Sequence, residues 1–370
     1  MVFLNDLETL VNINSFTTNK HGVDAVGKQL CRWCEELEME QRRFSREMIG
    51  DHRLFYSSSA AGQKILLVGH LDTVFPPGQF DSYSEDHEWI YGPGVCDMKG
   101  GLIVALEALR NVYRANKQIR NIDFFCVSDE ETGSDDSNAL TAELCLKYDY
   151  VMVFEAAGAA MELVIGRKGV GTWTIDIEGQ AAHAGNKYSE GIDANLEAAY
   201  KLQKLVAMTD LEQGSTVNVG KIQGGIGANT ISPQASLVVE MRFTCGAERD
   251  RLLAGLNAIV TETTVPGTTA RLSGRLQRDV MEPNDRQSAL IKKIGEISKQ
   301  QILTELRGGG SDANITAAAG IVTLDGFGPF GDNDHTVDER ALKTSFKQRI
   351  SLVTDILLFH QQNSYLVRED

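Results

Sequence analysis

The residues of this chain that could do acid–base or metal chemistry stand just after short apolar runs or inside glycine-bearing turns. Lys64-Ile-Leu-Leu-Val-Gly69 runs straight into His70-Leu71-Asp72. In an extended segment residues i and i+2 face the same side, so His70 and Asp72 can work together. A carboxylate beside an imidazole fixes its tautomer and orientation, an arrangement common where the ring binds a metal. Tyr91-Gly-Pro-Gly-Val-Cys-Asp97-Met-Lys-Gly-Gly101 sets a lone carboxylate between a Gly-Pro-Gly turn and a Gly-Gly helix start. Glycines let backbone approach a site closely, although Asp97 could instead be a helix N-cap. Asn121-Ile-Asp-Phe-Phe-Cys-Val127 leads into Ser128-Asp129-Glu130-Glu131-Thr132-Gly133. Three consecutive acids repel one another and a cation would relieve that cost, with a solvated acidic loop as the bland alternative. A further apolar run, 149–154, ends at Glu155, and His335 sits in a polar turn, 331–339.

The elements that must position these groups are strands. Several apolar runs in succession each deliver a histidine or a carboxylate at the C-terminal end, the edge where open α/β sheets bind ligands. Two histidines with hard carboxylates and no thiolate suit Zn²⁺ and would also accept Co²⁺ or Mn²⁺. His70, Asp97, Glu131, Glu155 and His335 are more ligands than one catalytic zinc needs. Two ions roughly 3.5–4 Å apart, sharing a bridging carboxylate, would use them all.

Continuous apolar strands separated by helices, such as 101–117, predict an α/β domain with a mixed, mostly parallel sheet and helices on both faces. The texture changes near Gly166. Segments 170–178, 215–222 and 235–243 alternate like half-exposed strands, with helical stretches at 195–208 and 248–263. They predict an inserted α+β domain with an antiparallel sheet and two helices. The chain turns polar at 276–283, then resumes with a helix at 286–299, a Gly308–Gly310 loop and a final helix at 340–361. The expected organisation is one domain of 1–166 and 277–370, interrupted by an inserted domain of 167–276.

Composition narrows the function classes. With 42% of its 370 residues hydrophobic, the chain can bury a sizeable core, and a formal charge of −15 disfavours nucleic acid and anionic membranes as partners. No run approaches the roughly 18 apolar residues of a membrane span. The first eight residues carry Asp6 and Glu8 and no basic cluster, unlike a signal peptide, so a cytoplasmic protein is the working expectation. The six cysteines make no dense disulfide framework. Cys31 and Cys34 could be a redox or zinc pair, or two small apolar residues on a helix.

These motifs together resemble the di-zinc peptidases and deacylases that include glutamate carboxypeptidase, acetylornithine deacetylase, succinyl-diaminopimelate desuccinylase and aminoacylase. Gly69-His70-Leu71-Asp72-Thr73, the Gly92–Gly101 segment, Asp129-Glu130-Glu131-Thr132-Gly133 and Phe154-Glu155 carry the likeness. So do Gly179-Gln-Ala-Ala-His183-Ala-Gly185, Asn229-Thr-Ile, Gly309-Gly-Ser-Asp-Ala313 and His335, all in the family's order. The resemblance implies two Zn²⁺ bridged by Asp97, with His70 and Glu155 completing one site and Glu131 and His335 the other. It makes Asp72 the buttress of His70 and Glu130 the general base. It assigns His183 to polarising the scissile carbonyl and Asn229 to contacting the substrate beside it. Arg242, Gly309 and Gly310 would bind the substrate's carboxylate, the alternative for Arg242 being a salt bridge on a sheet face. It also implies a cis peptide after Asp97, makes 1–166 with 277–370 the catalytic domain, and makes 167–276 a lid or dimerisation domain, with a homodimer formed through it. The expected substrate is a small peptide or N-acyl amino acid with a free carboxylate, cleaved by a glutamate-carboxypeptidase-like exopeptidase. The alternatives are an N-acyl amino acid deacylase and a catalytically silent metal-binding scaffold.

Overall fold

The computed structural model describes residues 2–367. The chain divides into two units. One comprises the residues up to Arg167, Pro283–Arg307 and the chain from Ser311 onward, and the other comprises Lys168–Glu282 with Gly308–Gly310.

The first unit opens with α1 (Val2–Val11), α2 (Lys20–Glu35), β1 (Glu40–Phe44), β2 (His52–Tyr56), β3 (Ile65–His70), β4 (Ser84–Glu85), β5 (Trp89–Tyr91), α3 (Lys99–Asn116), β6 (Ile122–Val127), α4 (Ser137–Cys145), β7 (Tyr150–Val153) and β8 (Leu163–Arg167). The second unit supplies β9 (Gly169–Glu178), α5 (Ala194–Val206), β10 (Thr216–Gly224), β11 (Gln234–Phe243), α6 (Gly246–Thr261) and β12 (Thr269–Arg278). The chain then returns through α7 (Asp285–Ser298), β13 (Thr304–Arg307), α8 (Asp312–Ala318), β14 (Val322–Leu324), β15 (Gly331–Asp332), β16 (Arg340–Leu342) and α9 (Lys343–Asn363).

Every residue of β3 is buried, which a strand achieves only where both faces of its sheet are covered. It lies inside a six-stranded sheet of order β1-β2-β6-β3-β7-β14. β6, β3, β7 and β14 run parallel, and β1 and β2 add antiparallel strands at one edge. One face presents Ile65, Leu67, Ile122, Phe124, Tyr150 and Met152 to a core shared with α3 and α9. The opposite side chains, Leu66, Val68, Phe125, Val127, Val151 and Val153, are buried as well. α3 is apolar around nearly its whole circumference and packs between β3, α1 and α9, the signature of an interior helix. On α2, Cys34 is fully buried among Val26, Leu30 and Leu37, and all six cysteines are unpaired thiols. The helical reading of Cys31 and Cys34 is the one the fold realises.

A small sheet of order β15-β16-β5-β4 matters more than its size suggests. Tyr91, the last residue of β5, pairs antiparallel with Arg340, the first of β16. The chain leaving β5 therefore runs beside the chain entering β16, although about 250 residues separate them in sequence. Residues 340–342 belong to this sheet, so the last helix begins at Lys343 and not at Arg340.

In the second unit β10-β11-β9-β12 form an antiparallel sheet. β9 and β11 alternate buried and half-buried residues. Trp173, Ile175, Leu237, Val239 and Met241 meet Ala194, Ala198 and Leu205 of α5 and Leu252 and Leu256 of α6. β12 is an edge strand whose mostly polar residues hide it in the sequence. Because it continues across a bulge between Leu276 and Arg278 to pair Arg278 with Val170 of β9, the unit extends to Glu282 and the return falls at Pro283 instead of 277.

Leu67→Ala should cost about 2–5 kcal/mol, the usual range for truncating a fully buried leucine. Urea unfolding monitored by far-UV circular dichroism checks this, and a loss below about 1 kcal/mol would contradict tight packing around Leu67.

Candidate metal centre

The parallel strands bring their C-terminal ends together. His70 closes β3 and pairs with Val127 at the end of β6, while Val68 pairs with Val153 at the end of β7. The segments that follow, Leu71–Asp72, Ser128–Glu131 and Phe154–Glu155, thus leave the sheet side by side.

His70 is completely buried. Its Nδ1 lies 3.0 Å from the carbonyl oxygen of Asp72 and 3.4 Å from Asp72 Oδ1. A carbonyl can only accept, so Nδ1 carries the proton and Nε2 is the nitrogen presented to the site. Nε2 lies 3.1 Å from Asp97 Oδ1 and 3.7 Å from Glu155 Oε1. Asp72 does more than orient the ring. Its Oδ2 accepts from the Thr17 hydroxyl at 2.7 Å and from the Glu131 N–H at 3.2 Å, tying the β3 and β6 loops together.

Asp97 does not take the N-cap role open to it, since α3 begins after Met98. Its carboxylate faces two histidines instead: Oδ1 faces His70, and Oδ2 lies 3.2 Å from His335 Nε2. His335 Nε2 also lies 3.2 Å from Glu131 Oε2. Ligand atoms of His70, Glu130 and Glu155 lie within 4.8 Å of one another, and so do those of His70, Asp97 and Glu131. The Asp97–Met98 peptide is cis, in agreement with the expectation drawn from the resemblance.

The glycines around Asp97 are steric necessities. A Cβ at Gly101 would stand 1.9 Å from the Phe154 carbonyl oxygen, and one at Gly100 would stand 2.1 Å from the Val95 carbonyl oxygen. Gly92 and Gly94 adopt φ of 147° and 80°, which side chains disfavour.

Among the three consecutive acids the roles separate. Asp129 turns away from the cluster: its Oδ2 accepts from the N–H groups of Asp136 and Ser137 at the start of α4. Glu130 is almost fully buried beside His70 and Glu155. Electrostatics agree with a site built for cations. Burial, reinforced by the Asp97 charge, raises Glu131 and Glu155 well above the ordinary carboxylate range. Burial would also raise Asp97, but hydrogen bonds from His335 and His70 hold it well below that range. His70 stays well above an ordinary imidazole because its contacts with Asp72 and Asp97 outweigh burial. Hydrogen bonds to Asp97 and Glu131 push His335 up to about 11. Four acids crowd two imidazoles, an excess that divalent cations would neutralise.

One residue of this neighbourhood carries no warning in the sequence. Glu339 looks like the end of a solvated acidic turn, yet it is 1% exposed and accepts three backbone N–H bonds from the loop that ends in Asp97.

The remaining predicted residues lie in the second unit. His183 Nδ1 accepts the N–H groups of Gly185 at 3.1 Å and Asn186 at 3.2 Å, which leaves the neutral ring with its proton on Nε2. The Ala184 N–H donates to the Asn229 carbonyl and the Ile231 N–H to the Ala182 carbonyl, so the His183 and Asn229 segments run together. Arg242, on β11, donates from Nε and Nη2 to Glu240 at 2.9 and 3.4 Å, and from Nη1 to the Gly308 carbonyl at 3.0 Å. The salt-bridge alternative for Arg242 is therefore realised, and the same guanidinium adjoins the Gly308–Gly310 loop.

The profile of peptidase family M20/M25/M40 matches residues 66–358. The chain belongs to that family. It is 27% identical over 365 residues to carboxypeptidase G2 from Pseudomonas sp. strain RS-16, covering 95% of this chain and 88% of that one. It is 29% identical over 236 residues to acetylornithine deacetylase from Yersinia pseudotuberculosis, covering 59% and 58%. Its fold matches the crystal structure of a tripeptidase from Staphylococcus aureus with a TM-score of 0.83, at 24% identity and over 98% of each chain. As an M20 member the chain is a metal-dependent hydrolase. No helix among the described residues is long and apolar enough to cross a membrane.

Gly101→Ala should destabilise the M20 fold by about 1–3 kcal/mol, the range for forcing atoms into a packed interior. Thermal unfolding of the metal-free protein measures it, and a wild-type midpoint would show that α3 can move away from Phe154.

Proposed function

We propose that this chain is a dinuclear zinc exopeptidase that releases an amino acid with a free α-carboxylate, C-terminal glutamate being the lead substrate. The observation that carries the reading is the placement of Asp97, with each carboxylate oxygen against a different histidine and a glutamate beside each: His70 with Glu155, and His335 with Glu131. A carboxylate so placed suits a bridge between two ions, and the N/O donor set suits zinc, with Co²⁺ or Mn²⁺ as substitutes.

When bound, the ions lower the pKa of a water and polarise the scissile carbonyl. Glu130 accepts the proton of the attacking water and returns it to the leaving amine. The Nε2–H of His183 donates to the developing oxyanion, with Asn229 contacting the substrate beside it. Arg242 has five N–H groups and three are engaged, leaving one on each terminal nitrogen. These remaining donors would bind a substrate carboxylate, and the N–H groups of Gly309 and Gly310 would add to the grip. The near-full-length likeness to carboxypeptidase G2 favours peptide over acetylated substrates. The shorter match to acetylornithine deacetylase keeps an N-acyl amino acid deacylase as the second reading.

A hydrolysis screen of C-terminal dipeptides, N-acyl glutamates and acetylated amino acids, read by mass spectrometry, decides between them. Release of C-terminal glutamate is expected. Turnover confined to acetylated amino acids would transfer the assignment to the deacylase, and a zinc-loaded protein inert on the whole panel would refute both. Glu130→Gln should lower kcat by more than about a hundredfold with both metals retained, and near-normal turnover would remove Glu130 from its role. Because His335 is protonated at neutral pH in the metal-free protein, zinc binding should release protons and tighten as pH rises. Calorimetry in buffers of different ionisation enthalpy reads this directly, and a buffer-independent enthalpy would contradict His335 ligation.

A further inference from the structure

We propose that Glu339 is a positioning residue, the buried anion that holds the Asp97 loop against the His335 turn. The inference rests on the dinuclear reading above for its effect on metal binding. Its structural core stands on hydrogen bonds alone.

One oxygen of Glu339 accepts the N–H groups of Cys96 at 3.0 Å and Asp97 at 3.2 Å, and the other accepts that of Gly94 at 3.0 Å. Three N–H groups from four consecutive residues thus converge on one carboxylate, a backbone concavity of the kind that binds anions. The backbone of Glu339 extends the tie. Its N–H donates to the Thr336 carbonyl, closing the turn that directly follows His335, while the Thr336 N–H closes the turn around His335 itself on the Asn333 carbonyl, and the Glu339 carbonyl accepts the Gly92 N–H at 3.4 Å. Glu339 precedes β16 as Gly92 follows β5, so the small sheet delivers the two loops and this side chain locks them. Asp97 and His335 both depend on it, and Asp97 faces both histidines.

The chemistry demands a carboxylate. Charge-assisted bonds to N–H donors are about twice as strong as neutral ones, and both oxygens must accept. Glutamine has nearly the same shape, but its amide nitrogen is a donor. In Glu339→Gln one end of the side chain therefore faces an N–H that it cannot accept.

The test uses full-length protein in two forms. In the metal-free protein, hydrogen exchange by mass spectrometry should show faster exchange over residues 92–98 in Glu339→Gln than in wild type, with β3 unchanged. Equal exchange over 92–98 overturns the proposal whatever the metal result. With zinc and cobalt, titrated against a chromophoric chelator, Glu339→Gln should lose about 10–100-fold in metal affinity, the range seen for residues that orient ligands. Its Co²⁺ absorption spectrum should change. Wild-type affinity and spectrum in the variant would overturn the positioning role. If wild type itself binds neither metal, the dinuclear reading fails, and exchange alone decides the role of Glu339. Should the glutamine variant not fold, Glu339→Asp keeps the charge on a shorter arm. The same altered exchange and Co²⁺ spectrum are expected of it, and wild-type behaviour would refute the proposal.

Discussion

The structure turns on one electrostatic problem, which is that negative charge is concentrated where water is scarce. Asp97, Glu130, Glu131 and Glu155 gather around two imidazoles at the ends of buried strands. Without cations such a group stays together by taking protons, as the raised Glu131 and Glu155 carboxyls indicate. A packed interior does not tolerate this arrangement without compensation, so the surrounding structure is devoted to holding it. Asp72 joins two loops, Asp129 anchors its own loop to α4, Gly101 lets α3 approach the end of β7, and Gly100 lets it close on the Val95 carbonyl.

Much of this was legible in the sequence because it obeys strong local rules. Uninterrupted apolar runs mark strands covered on both faces, and glycine clusters mark close approach. The ligand candidates stand where those patterns stop. His70, Glu131 and Glu155 stand at such ends, and the structure places them around Asp97. The parts that escaped notice lack a local signature. β12 is a polar edge strand, and β16 is three residues long and merges into the helix that follows. Their assignments come from partners far along the chain.

Side-chain roles within a run of like residues were harder still. Asp129, Glu130 and Glu131 are indistinguishable by type, and only backbone direction sends the first to a helix start and the others to the cluster. Glu339 illustrates the limit. Its burial depends on the pairing of Tyr91 with Arg340, which no spacing rule reveals. Arg242 shows the converse: a guanidinium on a sheet face suits either an ion pair or a carboxylate ligand, and the structure shows the ion pair with Glu240 together with a bond from Nη1 to the Gly308 carbonyl.

The small sheet that joins β5 to β16 also has a temporal meaning. Proteins are synthesised from the N-terminus, and Asp97, Glu131 and Glu155 emerge from the ribosome long before His335 and Glu339. Strands β3, β6 and β7 can pair early, but the acidic cluster then lacks its second imidazole and its loop clamp until the whole second unit has been made. The nascent chain therefore carries an unfinished acidic pocket through most of translation. Assembly of the finished centre is reserved for the complete polypeptide, so a chain truncated before residue 331 would keep most of its acids and lose the means to arrange them.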